Sequence, residues 1–218
     1  RMIGGYGDAE VFSFHATIVF HTFEGGAVVT NNDALAAKMR LMRNFGFAGY
    51  DKVVYVGTNG KMNEISAAMG LTLLENFNDY VETNRCNYQL YRRQLESLPG
   101  ISVVPYDEKE KNNYHYVVAE VDEQKAGIDR DRLVHVLWAE NIKVRRYFYP
   151  CCHNMEPYRS NPFYAGLELP RTDHLARRVL VFPTGTVMDE GTIARVCEIV
   201  RFVLENAEAV RAVLPLGG

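Results

Sequence analysis

The chain has 218 residues, a mass of 24.8 kDa, a net charge of −3 and a sequence pI near 6.1, so no basic excess recommends nucleic acid or an anionic membrane as a partner. Hydrophobic residues at 47% and charged residues at 23% are the balance of an ordinary globular protein, with apolar mass for one good core or one core plus a small lobe. No apolar run approaches the roughly 18–20 residues that a membrane span needs, and Arg1-Met2-Ile3-Gly4-Gly5 has no signal-peptide character, so a cytoplasmic setting is expected.

In chain order, Glu10–Phe14 and Gly26–Thr30 read as two short strands, and Asp33–Arg43 as a helix with Leu35, Met39 and Met42 on one face. Residues 44–60 are rich in Gly, Asn and Tyr and read as a long ordered loop, the kind that carries function or an interface. From Met62 to about Leu98 the pattern is helical, with a break near Asn76–Asp79 and a clean stop at Pro99-Gly100. Ile101–Val104 and Tyr114–Val121 alternate as strands around a charged turn from Asp107 to Asn113. Asp129–Glu140 reads as a helix capped by Asp129 or Asp131, and Ile142–Phe148 as a strand. A Pro-bearing loop then runs to Pro170, followed by a short helix Thr172–Arg178, a strand Val179–Phe182 and a closing helix Asp189–Ala207.

A domain boundary is expected near Pro99, giving residues 1–99 and 100–218. Two strands alone make a marginal sheet with open edges that invite another chain. The four cysteines, Cys86, Cys151, Cys152 and Cys197, show no disulfide framework. Cys151-Cys152-His153 has the composition of a metal site, yet adjacent cysteines do not readily reach one tetrahedral ion, so no metal is expected.

Two segments are specific. Ala9-Glu10-Val11-Phe12-Ser13-Phe14-His15-Ala16-Thr17-Ile18-Val19-Phe20-His21-Thr22-Phe23-Glu24-Gly25-Gly26 and Gly57-Thr58-Asn59-Gly60-Lys61-Met62-Asn63-Glu64 closely resemble signatures of the DegT/StrS-type sugar aminotransferases. Leu41-Met42-Arg43-Asn44-Phe45-Gly46-Phe47 and Phe182-Pro183-Thr184-Gly185-Thr186 also look like family segments, so the resemblance covers nearly the whole chain. It implies an α/β fold: an incomplete C-terminal part of the large sheet domain of PLP (pyridoxal phosphate) transferases, residues 1–99, plus a small C-terminal α+β domain, residues 100–218. The two early strands would be the last of a seven-stranded sheet built largely by a preceding half.

The resemblance also implies roles. Ser13 matches a serine that hydrogen-bonds the PLP phosphate, and Asn59 an asparagine that reaches the phosphate of the dimer neighbour. Ile18 stands where the family carries the lysine that holds PLP as a Schiff base. Lysine serves there as amine and as base, and isoleucine can be neither. Arg145, Arg146, Tyr147 and His153 resemble the substrate-side loop, where arginines and aromatics suit a nucleotide-sugar diphosphate.

The reading is a truncated, degenerate homologue of nucleotide-sugar aminotransferases, a pseudoenzyme that does not transaminate alone. It acts through self-association or a related partner aminotransferase, as a homodimer or heteromer. Two alternatives stay open. One is a fragment or lysine mutant of an active PLP enzyme of natural-product biosynthesis. The other is a repurposed lysine-free enzyme using His15, His21, His153 or the Arg145/Arg146 pair.

Overall fold

The computed structural model describes residues Met2–Leu214, which fall into two compact units, one up to Asn78 and one from Asp79 onward. The division precedes the expected Pro99 because the helix crossing it commits Tyr88, Tyr91 and Leu95 to the core of the second unit. Pro99 marks only where that helix has ended.

In the first unit β1 (Glu10–Ser13) pairs antiparallel with β2 (Gly26–Val29), from Glu10 opposite Val29 to Ser13 opposite Gly26. Helix α1 (Asp33–Arg43) follows, started by the Asn32 side chain accepting from the Leu35 N–H at 3.0 Å. The segment read as loop contains a small hairpin, β3 (Phe47–Gly49) with β4 (Lys52–Val53), in irregular register. All five strand residues are exposed, so no alternation of buried and exposed positions betrays the hairpin in the sequence. Helix α2 (Glu64–Glu75) is capped by Asn63, whose side chain accepts from the Ser66 N–H at 2.8 Å. It ends at Asn76, and α3 (Phe77–Leu95) begins at once, which is the expected break.

The second unit is built on a three-stranded antiparallel sheet, β5 (Ile101–Val103), β6 (Val117–Val121) and β7 (Val179–Phe182), with β6 in the middle. Val117, Ala119 and Val121 alternate inward along β6 as a half-buried strand requires. Against them pack Leu133, Val134 and Leu137 of α5 (Arg130–Ala139) and Ile193, Val196, Val200 and Val203 of α8 (Glu190–Glu205), all members of one core. Tyr91 stacks on Phe182 with ring centroids 5.1 Å apart. Asp129, not Asp131, caps α5 by accepting from the Arg132 N–H at 2.9 Å, and Asp189 caps α8 through the Thr192 N–H at 2.7 Å. Short helices α4 (Glu123–Ala126), α6 (Glu156–Arg159), α7 (Pro170–Ala176) and α9 (Ala207–Val213) complete the unit, with a 3-10 turn at Cys152–Asn154.

One expected strand fails. Of Ile142–Phe148 only Arg145 pairs, in a single bridge to Val181, its N–H donating at 3.0 Å and its carbonyl accepting at 2.8 Å. The chain turns on both sides of it: the Val144 N–H donates to the Ile142 carbonyl at 2.9 Å, and the Tyr149 N–H to the Arg146 carbonyl at 2.6 Å. Those local bonds take backbone groups that a ladder would have used.

The two units differ in how they use apolar side chains, and this can be measured. Leu137→Ala, at a fully buried position, costs about 2–5 kcal/mol of unfolding free energy. Leu71→Ala in α2, where the side chain is 66% exposed, changes single-chain stability by less than about 0.5 kcal/mol. Urea titrations of both variants check the contrast.

Candidate functional site

After β1 the chain makes a tight excursion before returning as β2. The Phe14 N–H donates to the Gly25 carbonyl at 2.9 Å, the Thr22 N–H to the Phe14 carbonyl at 3.0 Å, and the Ile18 N–H to the His15 carbonyl at 3.1 Å. Phe20 anchors the excursion, edge-on to Phe14 with centroids 4.9 Å apart and edge-on to Phe77 at 6.2 Å. Ile18 is half-buried in this bend and lies outside any strand. Gly26 is required by the pairing, since a Cβ there would stand 2.7 Å from the Phe12 carbonyl oxygen.

Polar groups of this turn mostly hold the turn itself. The Ser13 hydroxyl, exposed at the end of β1, accepts from the His15 N–H at 3.3 Å. His15 Nδ1 lies 2.8 Å from the Glu24 carboxylate in an exposed pair, and His21 Nδ1 accepts from the Phe23 N–H at 3.3 Å. Thr22 is buried and its hydroxyl donates to the Glu24 carbonyl at 2.9 Å.

The Asn59 segment is laid against the end of α1. Asn59 pairs with Asn44 in an isolated bridge, the Phe45 N–H donates to the Thr58 carbonyl at 3.1 Å, and the Gly60 N–H to the Arg43 carbonyl at 2.9 Å. Gly46 permits this approach at φ +81°, where a Cβ would stand 1.8 Å from the Tyr55 carbonyl oxygen. Asn59 is exposed, and the Lys61 ammonium lies 5.0 Å over the Phe45 ring. Gly60, Arg40, Arg43, Ala27 and Thr30 border a cleft of about 570 Å³ in this unit.

The second unit separates the two consecutive arginines. Arg146 turns inward, with Nη1 2.9 Å from the Asp131 carboxylate and its guanidinium 4.8 Å over Tyr149 and 5.6 Å over Trp138. Asp131 also accepts from Arg130 Nε at 2.8 Å. Burial pushes the Arg130 guanidinium below its ordinary range, and Asp131 opposes that shift. Arg145 stays exposed. Asp131, Trp138 and Tyr149 are partners that sequence reading missed; the spacing between Asp131 and Arg146 has no helical or strand period to reveal the pair.

Tyr147 and Phe148 stack with centroids 4.7 Å apart and border a cleft of about 690 Å³, within the range of small-molecule sites. Tyr158, Tyr164, Leu167 and Leu169 continue its wall, and Cys151, His153 and Thr172 supply its polar groups. His153 Nε2 lies 3.0 Å from the Asp173 carboxylate. Of the expected substrate-side residues, Tyr147 and His153 share this cleft, whereas Arg145 and Arg146 are not among its lining residues.

The family described as DegT/DnrJ/EryC1/StrS aminotransferases matches residues 1–201. The chain belongs to this family. Its members are PLP-dependent aminotransferases. The chain is similar to dTDP-4-amino-4,6-dideoxy-D-glucose transaminase of Shigella dysenteriae, 33% identical over 196 residues that make up 90% of this chain and 53% of the relative. It is 29% identical over 222 residues to the spore coat polysaccharide biosynthesis protein SpsC of Bacillus subtilis, covering 95% of this chain and 57% of that one. Among solved structures it resembles DesI, determined in the presence of its TDP-sugar product, with a TM-score of 0.88, 46% identity, and coverage of 96% of this chain and 53% of that chain. The fold alone is shared with PseC of Helicobacter pylori, at a TM-score of 0.85 and 23% identity over 94% of this chain and 56% of that one. The chain thus spans about half the length of the curated relatives it matches, as expected of a C-terminal half.

The turn from Phe14 to Gly26 contains no lysine, and its functional groups are hydroxyls, imidazoles and one carboxylate. That set does not fit a covalently held PLP, which needs an amine.

Cysteine chemistry follows burial. Burial pushes the Cys197 thiol up to about 12, and burial, with the Asp173 and Cys152 charges adding to it, raises the Cys151 thiol. At pH 8 the Cys197 thiolate fraction is therefore about one in ten thousand. Iodoacetamide will label the exposed Cys86 and Cys152 in the native chain and spare Cys151 and Cys197 until denaturant is added, as peptide mass mapping will show.

Proposed function

We propose that this chain is a degenerate homologue of the nucleotide-sugar aminotransferases that lacks lysine-dependent transamination of its own and works by self-association or beside a lysine-bearing aminotransferase. The observation that carries the reading is Ile18, half-buried in an aromatic-anchored turn that has no amine within it. A β-branched hydrocarbon there supports packing and supplies neither a nucleophile nor a base.

Association is supported by the apolar surface of the first unit. Helix α2 buries Ser66, Gly70 and Leu73 on one side, yet Ile65, Leu71 and Leu74 are exposed. A helix apolar on more than one side belongs in an interior or an interface. Val11 of β1 is 77% exposed, and Val28 and Val29 of β2 are exposed as well. In this reading Asn59, held on a rigid segment and exposed, is offered in trans to a neighbouring site, and Ser13 stands at the position of the ancestral phosphate contact. Tyr147 and His153 in the second-unit cleft, with Arg145 and Arg146 on the same segment, are the residues for a nucleotide-sugar ligand.

The test is a PLP titration of the purified chain, followed by absorbance and by mass after borohydride reduction. No visible band and no added mass are expected. A reducible adduct would show that another lysine has taken over and would return the chain to the active aminotransferases. Sedimentation at micromolar concentration is expected to show a dimer, or a heteromer once a lysine-bearing relative is added. A well-folded monomer that ignores the relative would sink the partner role.

A further inference from the structure

Three side chains that could ligate a metal converge beside the second-unit cleft, which two of them, Cys151 and His153, line. Cys151 Sγ, a His153 ring nitrogen and an Asp173 carboxylate oxygen all lie within 4.8 Å of one another. A tetrahedral zinc ion, with Zn–S near 2.3 Å and Zn–N or Zn–O near 2.0–2.1 Å, holds its ligand atoms roughly 3.4–3.6 Å apart. Small torsional adjustments would bring the three donors to that spacing.

The scaffold explains why these three meet. Cys151 sits at φ +75°, a conformation a non-glycine residue adopts at a cost and one that recurs at functional sites. Its N–H donates to the Phe148 carbonyl at 3.0 Å, and its carbonyl accepts from the Asn154 N–H at 3.1 Å. This turn leaves Cys151 buried and Cys152 exposed, although both border the cleft. The objection that neighbouring cysteines cannot both reach one ion therefore falls away, because only Cys151 is needed. The third donor comes from α7 instead. Asp173 is oriented there by Asn154, whose side-chain N–H donates to its Oδ1 at 2.8 Å, the kind of outer contact that fixes a ligating carboxylate. His153 has a side chain only 7% exposed and already directs Nε2 at Asp173.

We propose that Cys151, His153 and Asp173 form a binding site for a zinc-type divalent ion, with the fourth coordination position facing the cleft. A mixed sulfur, nitrogen and oxygen set selects zinc-like ions over magnesium or calcium, which take oxygen ligands. Three protein ligands leave one position for water or for an oxygen of a molecule in the cleft. On binding, the Sγ–H bond breaks, an Sγ–metal bond forms, and the proton leaves to solvent; no oxidant or reductant is involved.

Cobalt(II) titration of the chelator-treated, reduced full chain tests it. One equivalent is expected to give the visible bands of tetrahedral cobalt and a near-ultraviolet thiolate-to-cobalt band, both erased by zinc. Cys151→Ser is expected to abolish the near-ultraviolet band, and Cys152→Ser to leave it intact. Asp173→Asn, which keeps the shape of the side chain, and His153→Gln are expected to weaken binding about tenfold or more. Circular dichroism identifies variants that fail to fold, and Asp173→Asn carries the test if Cys151→Ser is one of them. Absence of the thiolate band at stoichiometric cobalt, or a band that follows Cys152 or Cys86, would overturn the proposal.

Discussion

Strand β6 is the constraint on which the second unit depends. It is hydrogen-bonded on both edges, to β5 through Ile101–Val103 and to β7 through Val179–Phe182, and its inward residues lie at the bottom of the core. Fixing β7 fixes Val181, and Val181 exchanges both backbone bonds with Arg145. From that single bridge the chain departs into the turns that present Tyr147, Phe148, Cys151 and His153. The cleft thus hangs from a rigid sheet by one residue pair at one end and by α7, which leads back into β7, at the other. A binding surface made of turns keeps a defined geometry when its ends are tied to such an element.

The first unit works by the opposite logic. Its two-stranded sheet and its helices leave valines, leucines and isoleucines in solvent, while backbone hydrogen bonds and glycines hold the local geometry tightly. Gly46 against Tyr55 and Gly26 against Phe12 are approaches that no side chain would permit. Exact local structure combined with unburied apolar surface is what an element of a larger assembly has when viewed without its neighbours. Ile18 sits in this setting as a half-buried packing group, its N–H bonded to the His15 carbonyl within the turn.

Much of this was legible before any coordinates. The helix over Asp33–Arg43 stands as read, and Asp129, one of the two cap candidates, does cap its helix. Of the strand expected over Tyr114–Val121 the stretch Val117–Val121 forms, and the break expected near Asn76–Asp79 falls at Asn76. Three features were hidden. The β3–β4 hairpin has no buried face, so it leaves no hydrophobic period. The expected strand at Ile142–Phe148 dissolves because local turns compete for its backbone groups. The inward turn of Arg146 depends on Asp131, Tyr149 and Trp138, which lie on a helix and a loop that only folding brings together.

The sequence by itself determined the family, the helices and most strands, and the absence of an amine at position 18, because each is written in contiguous residues whose period, spacing or chemistry can be read locally. Tertiary structure alone decided which of two adjacent cysteines is buried, which of two adjacent arginines is neutralised, and that Asp173 joins His153 across 20 positions of chain. The reason is physical. Side-chain direction at a turn is set by φ and ψ of a few residues, and long-range pairing is set by a sheet register, neither of which is a local property of the residues concerned.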